Sequence, residues 1–189
     1  GKPAMAAVSP AGIREGAYAH LTDWSSMKDA RFLASLIKAG IRVRRAERPF
    51  VIDGKTWGSG SLIITHGDNK DQEGFTQKLG EIAESHQKML TPVATGMVES
   101  GKDFGSRYVG NVPKAKVGVL SGEPTSTLRF GEVWHFFEQQ LHYPLTVLEA
   151  DYFDRVDLNN YNVLILPDGW GYRQFLNADR KAALKKWVA

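Results

Sequence analysis

Apolar residues first recur at helical spacing in Phe32, Leu33, Leu36 and Ile37, one stripe of an amphipathic helix. Ser25 or Ser26 can cap its start, Asp29 sits in an early turn, and Gly40 stops it in the position that favours a left-handed backbone. A second stripe, Phe75, Leu79, Ile82 and Ala83, predicts a helix from Gln72 to His86. Between the two, Ile41 to Arg45, Phe50 to Ile52 and Ser61 to Thr65 read as strands, and Asp53-Gly54 is a hairpin signal. Residues 91–112 carry Thr95-Gly96, Ser100-Gly101 and Phe104-Gly105, and read as short strands and loops. Residues 1–16, rich in Ala, Gly and Pro without a period, read as a leader or linker, which leaves 17–112 as a mixed α/β unit.

The pattern changes near Pro113. Lys116 to Leu120, Leu145 to Leu148 and Asn162 to Leu166 are apolar runs without polar alternation, as expected of strands covered on both faces. A helix from about Leu128 to Leu141 follows the first of them, and a final helix opened by Asn177 or Asp179 runs into Trp187. Alternating strands and helices predict a parallel sheet. Residues 113–189 therefore read as the first part of a doubly wound, flavodoxin-like sheet. Such a fold normally needs about five strands, so either more chain follows Ala189 or residues 1–112 complete the sheet, and the first is the expectation. The open sheet edge is also a route to a homodimer.

Composition narrows the function without naming it. The chain has 189 residues, 42% hydrophobic and 24% charged, the ordinary globular mixture. No run approaches the roughly 20 apolar residues that would cross a bilayer. The net charge is only +3, and the basic residues cluster only at Arg42, Arg44, Arg45 and Arg48. That cluster reads as a solvated edge strand defended by charge, and no nucleic-acid partner is expected. The absence of cysteine removes thiolate nucleophiles, Cys-ligated zinc and disulfides from this chain.

Two loops could frame a cleft, because ligands of open α/β sheets gather beyond the carboxyl ends of the strands. One runs from Ser121 and Gly122 to Thr127, the other from Pro167 through Asp168 and Gly169 to Gly171. Ser121, Gly122, Asp168 and Gly169 are the candidate lining. The first loop could hold an anion at a helix start, but it lacks the dinucleotide and Walker patterns, and Thr125, Ser126 or Thr127 acting as an N-cap is the simpler account. His135-Phe-Phe-Glu138 has the spacing of two zinc ligands, yet a zinc site needs a third, and its aromatic neighbours point to helix packing. Asp151, Asp154 and Asp157 lack the glycine and glutamate of a calcium loop. No catalytic constellation emerges from the residues.

Lys116 to Tyr172, with Val117 to Leu120, Val163 to Pro167 and Asp168-Gly169, resembles the opening of class I glutamine amidotransferase-like domains. The nucleophilic cysteine of that superfamily lies on a later elbow, so its chemistry does not transfer. Lys38 to Phe50, Val98 to Gly105, Phe130 to Glu138 and Leu141 to Pro144 resemble the region downstream of the catalytic domain in large bacterial zinc carboxypeptidases. The resemblance implies a non-catalytic accessory region of an exported, secreted or periplasmic peptidase. Its partner would be the upstream peptidase domain of the same chain, which would hold the zinc, with no cofactor in this segment. The alternatives are a stand-alone small-molecule binding domain, or part of an amide hydrolase or transferase whose nucleophile lies beyond residue 189.

Overall fold

The computed structural model describes residues 9–189, and the start of the stretch read as a leader lies outside the described residues. The fold is mixed α/β, and the chain divides into two compact units between Pro113 and Lys114.

In the first unit, β1 (Ala19–Thr22) leads to α1 (Met27–Lys38), β2 (Arg44–Ala46), the hairpin β3 (Phe50–Ile52) and β4 (Lys55–Trp57), and β5 (Leu62–Thr65). Helix α2 (Phe75–Ser85) and the short strands β6 (Thr91–Val93) and β7 (Val109–Asn111) complete it. Five strands form an antiparallel sheet in the order β6-β1-β5-β2-β7. Because side chains alternate across a strand, β5 serves two cores at once. Leu62 and Ile64 pack with Phe32 and Leu36 of α1 and Phe75 and Leu79 of α2. Ile63 packs on the opposite side with Phe50, Ile52, Trp57 and Phe104. The sheet is therefore covered on both faces, which is why its central strand reads as an unbroken apolar run.

Local chemistry sets the boundaries of these elements. Ser26 caps α1 in a capping box with Asp29, and Asp29 also accepts from Ser25 N–H and from Lys88 Nζ. Burial works to raise the Asp29 carboxyl, but the hydrogen bonds from Lys88, Ser25 and Ser26 outweigh it and hold the group down at about 2. The helix ends with Gly40 N–H donating to Ile37 O and Ile41 N–H to Leu36 O, a Schellman closure that needs the left-handed Gly40, at φ 79°. Asp53 and Gly54 both have positive φ, so they make the two-residue turn that matches strand twist.

Two expectations are corrected here. The arginine-rich strand is not an edge, because β2 pairs with β5 on one side and β7 on the other. Its cations are accommodated by acidic partners. Arg44 makes a bidentate pair with Asp68 at 2.6 Å and donates to Phe104 O, while Arg42 pairs with Asp71. The true edges, β6 and β7, are only three residues each, which itself limits edge pairing. The second correction concerns residues 9–16. Ala11 and Ile13 lie in the core under α2, and Leu90 N–H donates to Ala11 O at 2.8 Å, so this stretch is structural and not a linker.

The second unit holds β8 (Val117–Ser121), α3 (Thr127–His135), β9 (Leu145–Glu149), β10 (Val163–Ile165), α4 (Tyr172–Phe175) and α5 (Ala178–Val188). Its three strands are parallel in the order β10-β8-β9, leaving β9 and β10 as edges. The helix expected to reach Leu141 stays α-helical only to His135 and then widens into a π-helical turn over Phe136–Leu141. His142 terminates it at φ 49°, and Tyr143 turns back so that its N–H meets Phe137 O and its hydroxyl meets Ala115 O. Pro144 forbids further helix, so the chain leaves through this widened turn. Two 3-10 turns, Ala150–Arg155 and Leu158–Asn160, connect β9 to β10. Leu120, Ala150, Phe153 and Phe175 form the unit's core, with Leu164 and Leu184 packed against it. Among the described residues no helix is long and apolar enough to cross a membrane.

The buried His20 generates a pH dependence. It is 3% exposed, and its Nε2 accepts the Arg14 N–H. Burial first, then the charges of Arg14 and His66, lowers it to about 4. His86 is also lowered, mainly by burial. Between its ordinary value of about 6.5 and about 4, the unfolded chain takes up a proton at His20 that the folded chain refuses. Stability is therefore full above that window and falls as the pH drops through it. Thermal melts between these limits should show a falling midpoint, with a shallower slope in His20→Gln; equal slopes would show that His20 does not carry the effect.

Candidate functional site

At the carboxyl ends of the parallel strands, backbone geometry joins the two loops singled out in the sequence. Ser121 is the last residue of β8, half-buried and in register with Glu149 of β9. Gly122 follows with φ 84°, exposed and beside Ala150. Thr125 Oγ1 donates back to Gly122 O, and Ser126 caps α3, so these two hydroxyls are spent on the loop itself. From the other side, Asp168 O accepts the Ser126 N–H at 2.9 Å, and Gly169 bridges to Thr125.

This contact admits no side chain. A Cβ on Gly169 would stand 2.1 Å from Pro124 O and 2.7 Å from Ser126 N, far inside van der Waals contact. Ser121, Gly122, Asp168 and Gly169 thus belong to the frame that brings the loops together. Their neighbours line the cleft that results, about 690 Å³ in volume. Glu123 comes from the first loop, Asp151 from the turn after β9, and Trp170, Gln174, Phe175 and Arg180 from the segment after β10. Trp170 is 90% exposed, standing between Gly169 and Gly171. Its position was legible in the run Asp168-Gly-Trp-Gly171. Gln174 and Arg180 carried no sequence signal, because only the docking of α4 and α5 brings them to the strand ends.

Charge in the cleft is uneven. Arg180 makes a bidentate pair with Asp154 at 2.7 Å, donates to Phe175 O, and lies over the Phe175 ring at 4.4 Å. The pairing holds the Asp154 carboxyl below the usual range and raises Arg180. Its charge is therefore committed to the wall. Glu123 and Asp151 have no ion-pair partner among the described residues. The arrangement offers an exposed indole face beside acceptor-rich carboxylates, which suits a small molecule with hydrogen-bond donors and a flat apolar or polyhydroxylated face.

His135 is the last residue of α3 and Glu138 lies in the π-helical turn, both exposed. Among the described residues no group of three or more His, Cys, Asp or Glu is arranged to hold a metal ion. Asp151 and Asp154 share one 3-10 turn, and Asp157 caps the next through Asn159 N–H.

No family model matches the chain, and no curated protein and no solved structure matches it.

The Gly169 contact is testable. Gly169→Ala should destabilise the second unit by about 2 kcal/mol, the ordinary cost of overpacking, and perturb amide resonances of residues 122–126. An unchanged melt with unchanged resonances there would show that the two loops do not need this contact.

Proposed function

We propose that this chain is a non-catalytic accessory and binding region, whose second unit presents a small-molecule cleft. The observation that carries this reading is Trp170, 90% exposed at the mouth of a cleft at the carboxyl ends of parallel strands. Numbered from β8, the strand order β10-β8-β9 reads 3-1-2. That supports the finer reading of the unit as the opening of a doubly wound, flavodoxin-like sheet of order 2-1-3-4-5, whose ligand lies between the loops after strands 1 and 3. The loops in question are 121–126 and 167–171. A binding role needs only a core and a presenting surface, in keeping with hydroxyls at Thr125 and Ser126 that are already engaged.

The resemblance to the downstream region of zinc carboxypeptidases supports placing this module beside a peptidase domain of the same exported protein. Zinc and the reacting groups would reside in that domain, while the cleft would hold part of the substrate or of the surrounding envelope material. The gene sequence upstream tests this arrangement. A peptidase domain bearing His-x-x-Glu, a distant histidine and a glutamate is the expected finding; an open reading frame starting near residue 1 removes the reading.

The cleft itself is tested by tryptophan fluorescence on the 189-residue chain. Titration with a lysine-containing dipeptide and with a hexose should give a saturable change with at least one of them, lost in Trp170→Ala. No change with either, or the same change in the variant, would overturn the binding reading.

A further inference from the structure

A second cluster of chemistry lies in the first unit, on residues other than those of the strand-end cleft, which belong to the second. Three cations surround one aromatic ring. Arg48 Cζ is 4.3 Å from the centre of the Tyr108 ring, Arg107 Cζ 5.0 Å and Lys102 Nζ 5.6 Å. Arg107 also donates to the Tyr108 hydroxyl at 3.0 Å. All three cationic residues are exposed and Tyr108 is half-buried.

The nearby carboxylates do not balance them. Glu47 accepts from Arg45 at 3.3 Å, Asp103 accepts the Val98 N–H, and Glu99 accepts the Gly54 N–H. Arg48, Lys102 and Arg107 have no ion-pair partner among the described residues. The ring's negative faces offset part of their repulsion. Three unpaired heads gathered at one ring concentrate positive charge on this patch, and an anion reaching it would meet all three at once.

The scaffold beneath is fixed, so the cluster is presented and not merely crowded. Phe104 is fully buried in the core, and its carbonyl accepts from Arg44, which is itself held by Asp68. Ser106 N–H donates to Asp103 O, Val109 N–H to Ser106 O, and Phe104 N–H to Gly96 O. Glu47 N–H donates to Tyr108 O at 2.8 Å, which ties the segment carrying Arg48 to the loop carrying Lys102 and Arg107.

We propose that the Arg48, Lys102, Arg107 and Tyr108 cluster is a binding site for a small multiply charged phosphate-class oxyanion. Two of the three cations are guanidinium groups, whose planar forks match phosphoryl oxygens in pairs. A singly charged anion leaves most of the cluster uncompensated, whereas a di- or triphosphate carries enough charge for all three.

The test is a titration of the 189-residue chain with inorganic triphosphate, followed by amide and arginine side-chain resonances at low and physiological salt. The expected result is saturable shifts at Arg48, Lys102, Arg107 and Tyr108, with affinity falling as salt rises. Arg48→Gln and Arg107→Gln should each weaken binding about tenfold, the scale of one lost charge-assisted hydrogen bond. Lys185→Gln, which removes the same charge from α5, should leave it unchanged. Absence of shifts at the four residues, or equal weakening by Lys185→Gln, would overturn the site. A random duplex oligonucleotide titrated in parallel separates a small ligand from a polymer; tighter binding of the duplex at physiological salt would overturn the small-ligand assignment.

Discussion

The second unit depends on one contact that leaves no room for a side chain, the backbone of Gly169 against residues 124–126. Parallel strands give no connection between the loops at their ends, since each loop belongs to a different crossover. The Ser126 N–H to Asp168 O bond and the Gly169 bridge supply that connection directly. Beyond the joined loops the chain turns at Gly171, at φ 91°, and the indole of Trp170 stands in solvent and not in the core. An apolar ring of this size exposed in water is unfavourable by about 25 cal/mol for each Å² of apolar surface. The geometry retains it nonetheless, and this makes the cleft a feature of the backbone as much as of its lining.

The first unit solves a different problem, that of putting charged groups at the centre of a sheet covered on both faces. Arg44 in the interior strand β2 is answered by Asp68, which belongs to the turn after β5. Asn69, fully buried, uses its amide to meet Arg42 N–H, Arg42 O and Thr65 O. One short turn thus satisfies both the charge and the backbone polarity of two neighbouring strands. The same arrangement reaches the basic loop, because the Arg44 guanidinium bonds the carbonyl of Phe104.

Much of this was legible where the deciding interaction is local. Ser26, Asp29 and Gly40 mark the ends of α1 within a few residues of where they act, and Asp53-Gly54 declares its own turn. The apolar runs at Val117, Leu145 and Val163 identified the parallel strands without any knowledge of their partners. What could not be read was what depends on distant partners. Four arginines look the same in sequence whether their strand is an edge or lies between β5 and β7. Ala11 and Ile13 have no period of their own, and they become core only because α2 and Leu90 close over them. The cleft divides in the same way: its loops followed from strand order, whereas Arg180 reaches it through a later helix and an ion pair with Asp154. The convergence on Tyr108 joins Arg48 to residues more than fifty positions further along, a distance no window of sequence spans.

The central position of β8 has a consequence for how the second unit is made. It is the first of the three parallel strands to be synthesised, yet it pairs on both sides with strands that come later, Val117 with Leu145 and then with Val163. A ribosome adds about 5–20 residues each second, so a nascent chain carries this apolar segment for seconds with both hydrogen-bonding edges open. Long-range parallel pairing is slow to begin with, because loop closure must precede any gain from contact. The strand that organises the finished unit is therefore the one that waits, through two crossovers, for both of its partners while the chain is still emerging.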